Sequence, residues 1–288
     1  MSLVPGATDS PAPSGSADVE FGAQSRPGRG RATNGDHYLI VRLERRHDTL
    51  LTNLPPADIP DPFGESGYGM ILADGLGSQA EVASRLGITT LAHLMVSFGK
   101  WNLRVDERIA EDIADRAERF YRSIDLAMLR AGVDDPLGLQ TTLTAVYTSG
   151  KDLFFAHVGH SRAYLFRDGT LMQLTRDHTL AADLQGKSGP VDVGAGTPDM
   201  HHSVTQTIGR PRPGGPRIDI ERLGLLDHDA VLLCTNGLTD VLSETSIANV
   251  LQRPETPDEK CRMLVDLVGE AGGRDDTTAL VAQYRISE

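Results

Sequence analysis

Leu153-Phe154-Phe155-Ala156-His157-Val158-Gly159-His160-Ser161-Arg162-Ala163-Tyr164-Leu165-Phe166-Arg167-Asp168-Gly169-Thr170 decides how the chain is built. Leu153–Val158 and Ala163–Arg167 are short apolar runs bounded by turn residues, the pattern of buried strands rather than helices. Arg167-Asp168-Gly169-Thr170 is a hairpin turn into a third run, Leu171–Leu174, and Thr142–Thr148 supplies a strand before them. Outward from this block lie further strand candidates: His37–Leu43 and Gly69–Ala73 on one side, and Ser203–Ile208, Ile218–Arg222, Ala230–Cys234 and Thr277–Tyr284 on the other. Helical spacing marks Glu81–Phe98 and Asp106–Ala131; in the second, Ile109, Ile113, Ala117, Phe120, Ile124 and Met128 form one apolar stripe opposite a charged face. Thr256-Pro257-Asp258-Glu259 is a capping-box sequence opening a helix to about Val268. Strands before, between and after two helical blocks predict an α+β sandwich, not alternating βαβ units.

Residues 1–17, rich in Pro, Ser, Gly and Ala, read as a disordered arm, leaving 18–288 as one domain. Leu50–Gly67 is proline-rich and acidic and reads as a long loop. Leu180–His202 has weak periodicity and many glycines, the pattern of a mobile surface segment, and the glycine and proline content of Leu180–Pro216 suggests mobility throughout. A chain of 288 residues with 24% charged side chains can bury one large core. It has no apolar run long enough for a bilayer and no secretory leader pattern. The formal charge of −12 argues against nucleic-acid binding. Cys234 and Cys261 sit in apolar contexts and read as buried thiols of a reducing, cytoplasmic compartment. A monomer is the default expectation.

Six ordered motifs carry the chemistry. Arg31-Ala32-Thr33-Asn34-Gly35-Asp36 precedes a strand. Asp74-Gly75-Leu76-Gly77 ends one. Gly138-Leu139-Gln140-Thr141-Thr142 opens another, and Gly159-His160-Ser161-Arg162-Ala163-Tyr164-Leu165 is followed by Gln173-Leu174-Thr175-Arg176-Asp177-His178. Cys234-Thr235-Asn236-Gly237-Leu238-Thr239-Asp240 and Gly273-Arg274-Asp275-Asp276-Thr277-Thr278 complete the set. Any one Asp-Gly pair is usually just a turn. Oxygen-bearing side chains at several strand ends are how a hard cation such as Mg²⁺ or Mn²⁺ is collected.

The ordered set resembles the metal-dependent protein phosphatase family (type 2C, or PPM) in its compact bacterial form, from about residue 19 to 285. The resemblance implies a central β-sandwich of two antiparallel sheets flanked by helical pairs. It also implies hydrolysis of phosphoserine and phosphothreonine in proteins by water activated between two Mg²⁺ or Mn²⁺ ions. By this likeness Asp74 is the bridging carboxylate and the Gly75 carbonyl a metal ligand. Asp36 is a metal-site acid, direct or through water, and Asn236 and Asp275 take the remaining ligand places. Arg31 matches the family's phosphate-binding arginine, a residue whose guanidinium can grip two phosphate oxygens. The implied partners are phosphorylated proteins, a Ser/Thr protein kinase among them. Asp240 reads as a supporting acid or a helix cap, His178 as a supporting or an ordinary hydrogen-bonded residue, and Arg162 as a structural ion-pair partner.

The chain departs from the family pattern in four places. Gly35 stands where Glu or Gln is usual, and Ser78 interrupts the usual Asp-Gly-x-Gly-Gly. His160 and Asn236 replace two aspartates, both of which serve a third metal in the family. Losing a unit charge near a cation costs up to about 4 kcal/mol at ~4 Å and an effective dielectric near 20, so that third site is expected to be weak or absent. The inner ion keeps Asp74 and Asp275, and His160, a nitrogen donor, matches Mn²⁺ better than Mg²⁺. The alternative reading is a catalytically weak module that binds a phosphoprotein or kinase.

Overall fold

The computed structural model describes residues 17–59, 63–99, 105–133, 138–188, 200 and 202–286. The arm expected at 1–17 therefore lies outside the described residues, save Ala17. Two antiparallel sheets form the centre. The first runs β1 (Ala17–Arg26), β11 (Thr277–Ile286), β10 (Ala230–Cys234), β7 (Arg162–Arg167), β8 (Thr170–Gln173). The second runs β2 (Asp36–His47), β3 (Phe63–Leu76), β5 (Leu143–Ser149), β6 (Asp152–Val158), β9 (Asp219–Gly224), with the two-residue β4 (Gln140–Thr141) paired to the end of β3.

Alternation along the strands builds three layers of core. In β10, Val231 and Leu233 face the other sheet, where they meet Met70, Leu72 and Phe155, beside Leu280 of the neighbouring β11. Leu232 and Cys234 point the other way, into the layer under α5 (Glu244–Leu251) and α6 (Pro257–Glu270). Opposite them, Ile71 and Ala73 of β3 pack under α1 (Ala80–Phe98) and α2 (Glu107–Ala131), against Leu91, Ile124 and Met128. The order is therefore helices, sheet, sheet, helices, as the strand and helix pattern required.

Three expectations change. Leu50–Gly67 is not loop throughout, because β3 starts at Phe63 and pairs in register with His47 of a β2 that runs four residues past Leu43. The polar Glu65 and Ser66 are tolerated because they lie opposite the equally polar Glu44 and Arg45, in the distal part of the hairpin. Ser203–Ile208 is not a strand; it makes only the isolated bridges Thr179↔Val204 and Thr141↔Ile208. Within Leu180–Pro216 the start is helical (α3, Leu180–Ser188), and the end is tied to α2. There Arg122 donates to the carbonyls of Gly214 and Pro216, and the Gly209 N–H donates to Asp125. α5 was not legible as a periodic run. Its start is marked by Ser243, whose side chain accepts from the Ser246 N–H.

Candidate active site

Four chain segments meet where β2 begins and where β3 and β10 end. Asp36 and Asp74 are directly opposite in the antiparallel β2–β3 register, which holds their Cβ atoms about 5 Å apart. Asp36 is buried, and its Oδ2 accepts from the hydroxyls of Thr235 (2.9 Å) and Thr278 (2.8 Å), so one carboxylate ties the two sheets together. Its Oδ1 is buried with no partner. Burial pushes the Asp36 pKa up to about 7; the two threonine hydroxyls oppose this, and Asp276 and Asp275 add to it. The Asp74 carboxyl is raised well above the ordinary carboxylate range by burial, with Asp36, Asp275 and Asp276 contributing and Arg31 opposing. Mutually repelling carboxylates gathered in a desolvated place cost stability and are found where a cation or proton chemistry repays them.

Two close approaches shape the site, one at the Asp74 turn and one at the Asn236 turn. A Cβ on Gly75 would lie 1.8 Å from the Ala80 carbonyl oxygen, so only glycine lets α1 start this close to the site. A Cβ on Gly237 would lie 2.1 Å from the Asp276 carbonyl oxygen, so the Asn236–Thr239 helical turn (α4) packs directly on the Asp275-Asp276 loop. Asn236 is buried at the start of that turn. Its Nδ2 donates to Asp240 (3.0 Å) and weakly to Asp275 (3.4 Å), and its Oδ1 has no partner.

Arg31 reaches the same place from the loop after β1. It pairs with Asp275 at 2.5 Å and with Asp276 at 3.0 Å. Asp276 is the organiser: its Oδ1 accepts from the Gly28 N–H and its Oδ2 from the Gly35 N–H, both at 2.8 Å. Gly35 thus serves through its backbone, and its Cβ position, 2.9 Å from the Ala80 methyl, has little room for the larger residue usual there. Beside Arg31 a groove of about 430 Å³ runs between Thr33 and the start of α1, flanked by Gln79 and Glu81.

The protein phosphatase 2C family model matches residues 63–268 of this chain. The chain belongs to the protein phosphatase 2C family. It is 36% identical over 255 residues to the serine/threonine protein phosphatase PstP of Mycobacterium tuberculosis, covering 85% of this chain and 45% of that protein. The chain therefore spans about half the length of that relative. It is 26% identical over 227 residues to the serine/threonine phosphatase stp of Listeria monocytogenes, covering 76% of this chain and 85% of that one. Among solved structures, the Streptococcus agalactiae (S. agalactiae) serine/threonine phosphatase superposes with a TM-score of 0.74 at 26% identity, covering 92% of this chain and 99% of that one. The PstP catalytic domain in complex with two manganese ions superposes with a TM-score of 0.68 at 28% identity, covering 94% and 100%.

In this type 2C chain the structure brings together Arg31, Asp36, Asp74, Gly75, His160, Asn236, Asp240 and Asp275. Three buried polar atoms without partners, on Asp36 (Oδ1), His160 (Nδ1) and Asn236 (Oδ1), fall in this one cluster, and each is a kind of atom that ligates a divalent cation. The donor set therefore fits such ions. Among the described residues no three His, Cys, Asp or Glu side chains converge tightly enough to grip an ion as they stand, and Asp275 is paired with Arg31. His178 is set back from the cluster. Its Nδ1 accepts from the Gly159 N–H, its Nε2 lies 2.9 Å from Asp219, and its ring packs 4.9 Å from that of His157. It shapes the loop that carries His160. Arg162 is structural as expected, forked onto Asp177. Sequence reasoning gave no role to Asp276, Thr235 or Thr278; the first two adjoin Asp275 and Asn236, and Thr278 lies three positions beyond Asp275 in the same motif.

Proposed function

We propose that this chain hydrolyses phosphoserine and phosphothreonine in proteins, using Mn²⁺ or Mg²⁺. The carrying observation is the assembly of Asp36, Asp74, Asp275 and Asp276 around unpartnered oxygen atoms, with Arg31 at the rim. Family membership, and the manganese held by the PstP catalytic domain, support the same reading. Asp36, Asp74, the Gly75 carbonyl, Asn236 and Asp275 would hold the ions. Two such ions, when bound, make hydroxide available near neutral pH and stabilise the attacking and leaving oxygens of an in-line displacement.

The rest of the work falls to the chain itself. Arg31, now paired with Asp275 and Asp276, would fork onto two phosphate oxygens wherever its hold on Asp275 is given up. The carboxylate of Asp276 keeps hold of it at 3.0 Å and sets its direction. Asp240 holds the Asn236 amide by Nδ2, which leaves Oδ1 as the coordinating atom. The groove beside Arg31 would carry the peptide flanking the phosphoresidue. The 180–216 flap, which is joined to the site by the 3.4 Å His202–Asp240 contact, would act on substrate choice. We place a Ser/Thr kinase among the substrates and a monomer in the cytoplasm, a setting that suits the two buried free thiols.

The test is release of phosphate from a phosphothreonine peptide. Mn²⁺-dependent turnover that is lost in Asp74→Ala and in Asp275→Ala supports the reading; no turnover at saturating Mn²⁺ on several phosphopeptides contradicts it. The engagement of Asp275 by Arg31 favours one second reading, a phosphoprotein-binding module whose site never opens to metal. That module would bind phosphopeptide with unchanged affinity after metal is removed.

A further inference from the structure

The imidazole of His160 is a nitrogen donor set among oxygen donors. It is 6% exposed, and its Nδ1 has no hydrogen-bond partner. That atom lies 4.0 Å from Asp74 Oδ2. The separation is too long for a hydrogen bond, so neither tautomer of the ring is satisfied there. A buried, unsatisfied imidazole nitrogen costs free energy that ordinary packing would remove by rotating the ring. The backbone that carries the ring is fixed on both sides. The Gly159 N–H donates to His178, the Gly159 carbonyl accepts from the His178 N–H and from His157, and Ser161 is bonded to Thr142. Gly159 itself has φ +124°, and a Cβ there would meet the Thr142 side chain at 2.5 Å, so the backbone cannot drift.

Two donors bound to one ion at about 2.1 Å each stand roughly 3 to 4 Å apart, according to the angle they subtend. The His160–Asp74 distance falls in that interval, and Asp74 is the carboxylate placed at the centre of the metal site. We propose that His160 Nδ1 is a direct ligand of the ion held by Asp74, and that this nitrogen makes the chain select Mn²⁺ over Mg²⁺. Imidazole suits borderline transition ions, whereas Mg²⁺ keeps to oxygen and water and parts with its hydration reluctantly. The inference rests on the metal reading above and deepens it, since it says which ion the site is built for.

The experiment is pulsed electron paramagnetic resonance of the full chain, stripped of metal and reloaded with Mn²⁺, together with calorimetric Mn²⁺ and Mg²⁺ titrations. Asn236, Asp36, Asp74 and Asp275 all offer oxygen, so ¹⁴N coupling of a directly bound nitrogen is expected from His160 alone. The coupling should vanish in His160→Asp and in His160→Gln. In His160→Asp the Mn²⁺/Mg²⁺ affinity ratio should fall by about tenfold or more. His160→Gln keeps the ring's approximate bulk and its neutrality, and so covers the case in which the aspartate variant fails to fold. Mn²⁺ binding without directly coupled nitrogen overturns this inference and leaves the phosphatase reading standing. Absence of Mn²⁺ binding altogether overturns both.

Discussion

Asp74 carries two opposed demands. In the proposed metal site it must be a carboxylate to hold a cation, yet burial and three neighbouring carboxylates make its charge unfavourable when no cation is there. Asp74→Asn should therefore raise the stability of the metal-free protein by about 1–2 kcal/mol at pH 8 while abolishing hydrolysis. Denaturant melts with and without Mn²⁺ check this, and wild type should be the protein that Mn²⁺ stabilises more. Arg31 sets a second expectation. Its guanidinium competes with metal for Asp275, so Arg31→Ala should tighten Mn²⁺ binding several-fold in calorimetry, yet lower turnover of a phosphopeptide by about tenfold or more for want of the phosphate fork. Asp74, Asp36 and Asp275 were legible in the sequence because each closes or precedes a strand within a recurring turn pattern. Asp276 was not. What makes it matter is two backbone N–H groups, on Gly28 and Gly35, that lie more than 240 positions away along the chain. No local pattern encodes contacts of that range.

The elements were legible in proportion to how local their determinants are. The capping box at Thr256 is complete in the structure: Thr256 accepts from the Glu259 N–H, and the Glu259 side chain accepts from the Thr256 N–H. Thr256→Ala should cost about 0.5–2 kcal/mol in equilibrium unfolding, since it leaves an orphan donor at the helix start. β10 is legible from its five consecutive apolar residues, which no exposed strand could carry. Leu233, fully buried between the sheets, should cost about 2–5 kcal/mol when changed to Ala, with Cm shifted and m unchanged. β4 and the distal β3 were not legible. β4 has two residues, too few for periodicity. The distal end of β3 is polar and glycine-rich, and exists because β2 offers it a partner in register.

At the scale of the molecule, two sheets lock together through Asp36, and the site sits at that lock. Proton and metal binding should therefore be coupled. Asp36 and Asp74 have raised folded pKa values, so the stability they contribute is fully present below pH 3.8 and is lost for Asp36 as pH rises through about 7. His157 runs the other way: burial, with help from His178, lowers it to about 3, so its contribution is present above pH 6.5 and lost as pH falls toward 3. Burial lowers His160 to about 4 in the same sense, so between pH 4 and 6.5 two carboxylates oppose two histidines, each by about 1.4 kcal/mol per pH unit at most. The metal-free protein should show a shallow stability profile there. Mn²⁺ removes the carboxylate half of the balance. Its apparent affinity should fall by up to about tenfold per unit below pH 7 for each proton it displaces, and calorimetry in buffers of different ionisation heat should register proton release.

The layered architecture and the strand-end acids were legible together because strand alternation and turn chemistry are local. The consequence of Asn236 was not, because it depends on what holds the amide, and that is Asp240 on the following turn. The structure leaves Asn236 Oδ1 without a partner, and the proposed function takes that oxygen as an adequate ligand in place of a carboxylate. The direct measurement is the Mn²⁺-dependent kcat/KM on a phosphothreonine peptide for wild type and for Asn236→Asp. Measurable wild-type turnover is expected, with the aspartate variant within about tenfold of it, roughly 1.4 kcal/mol. Turnover that appears only when the aspartate is introduced would contradict it.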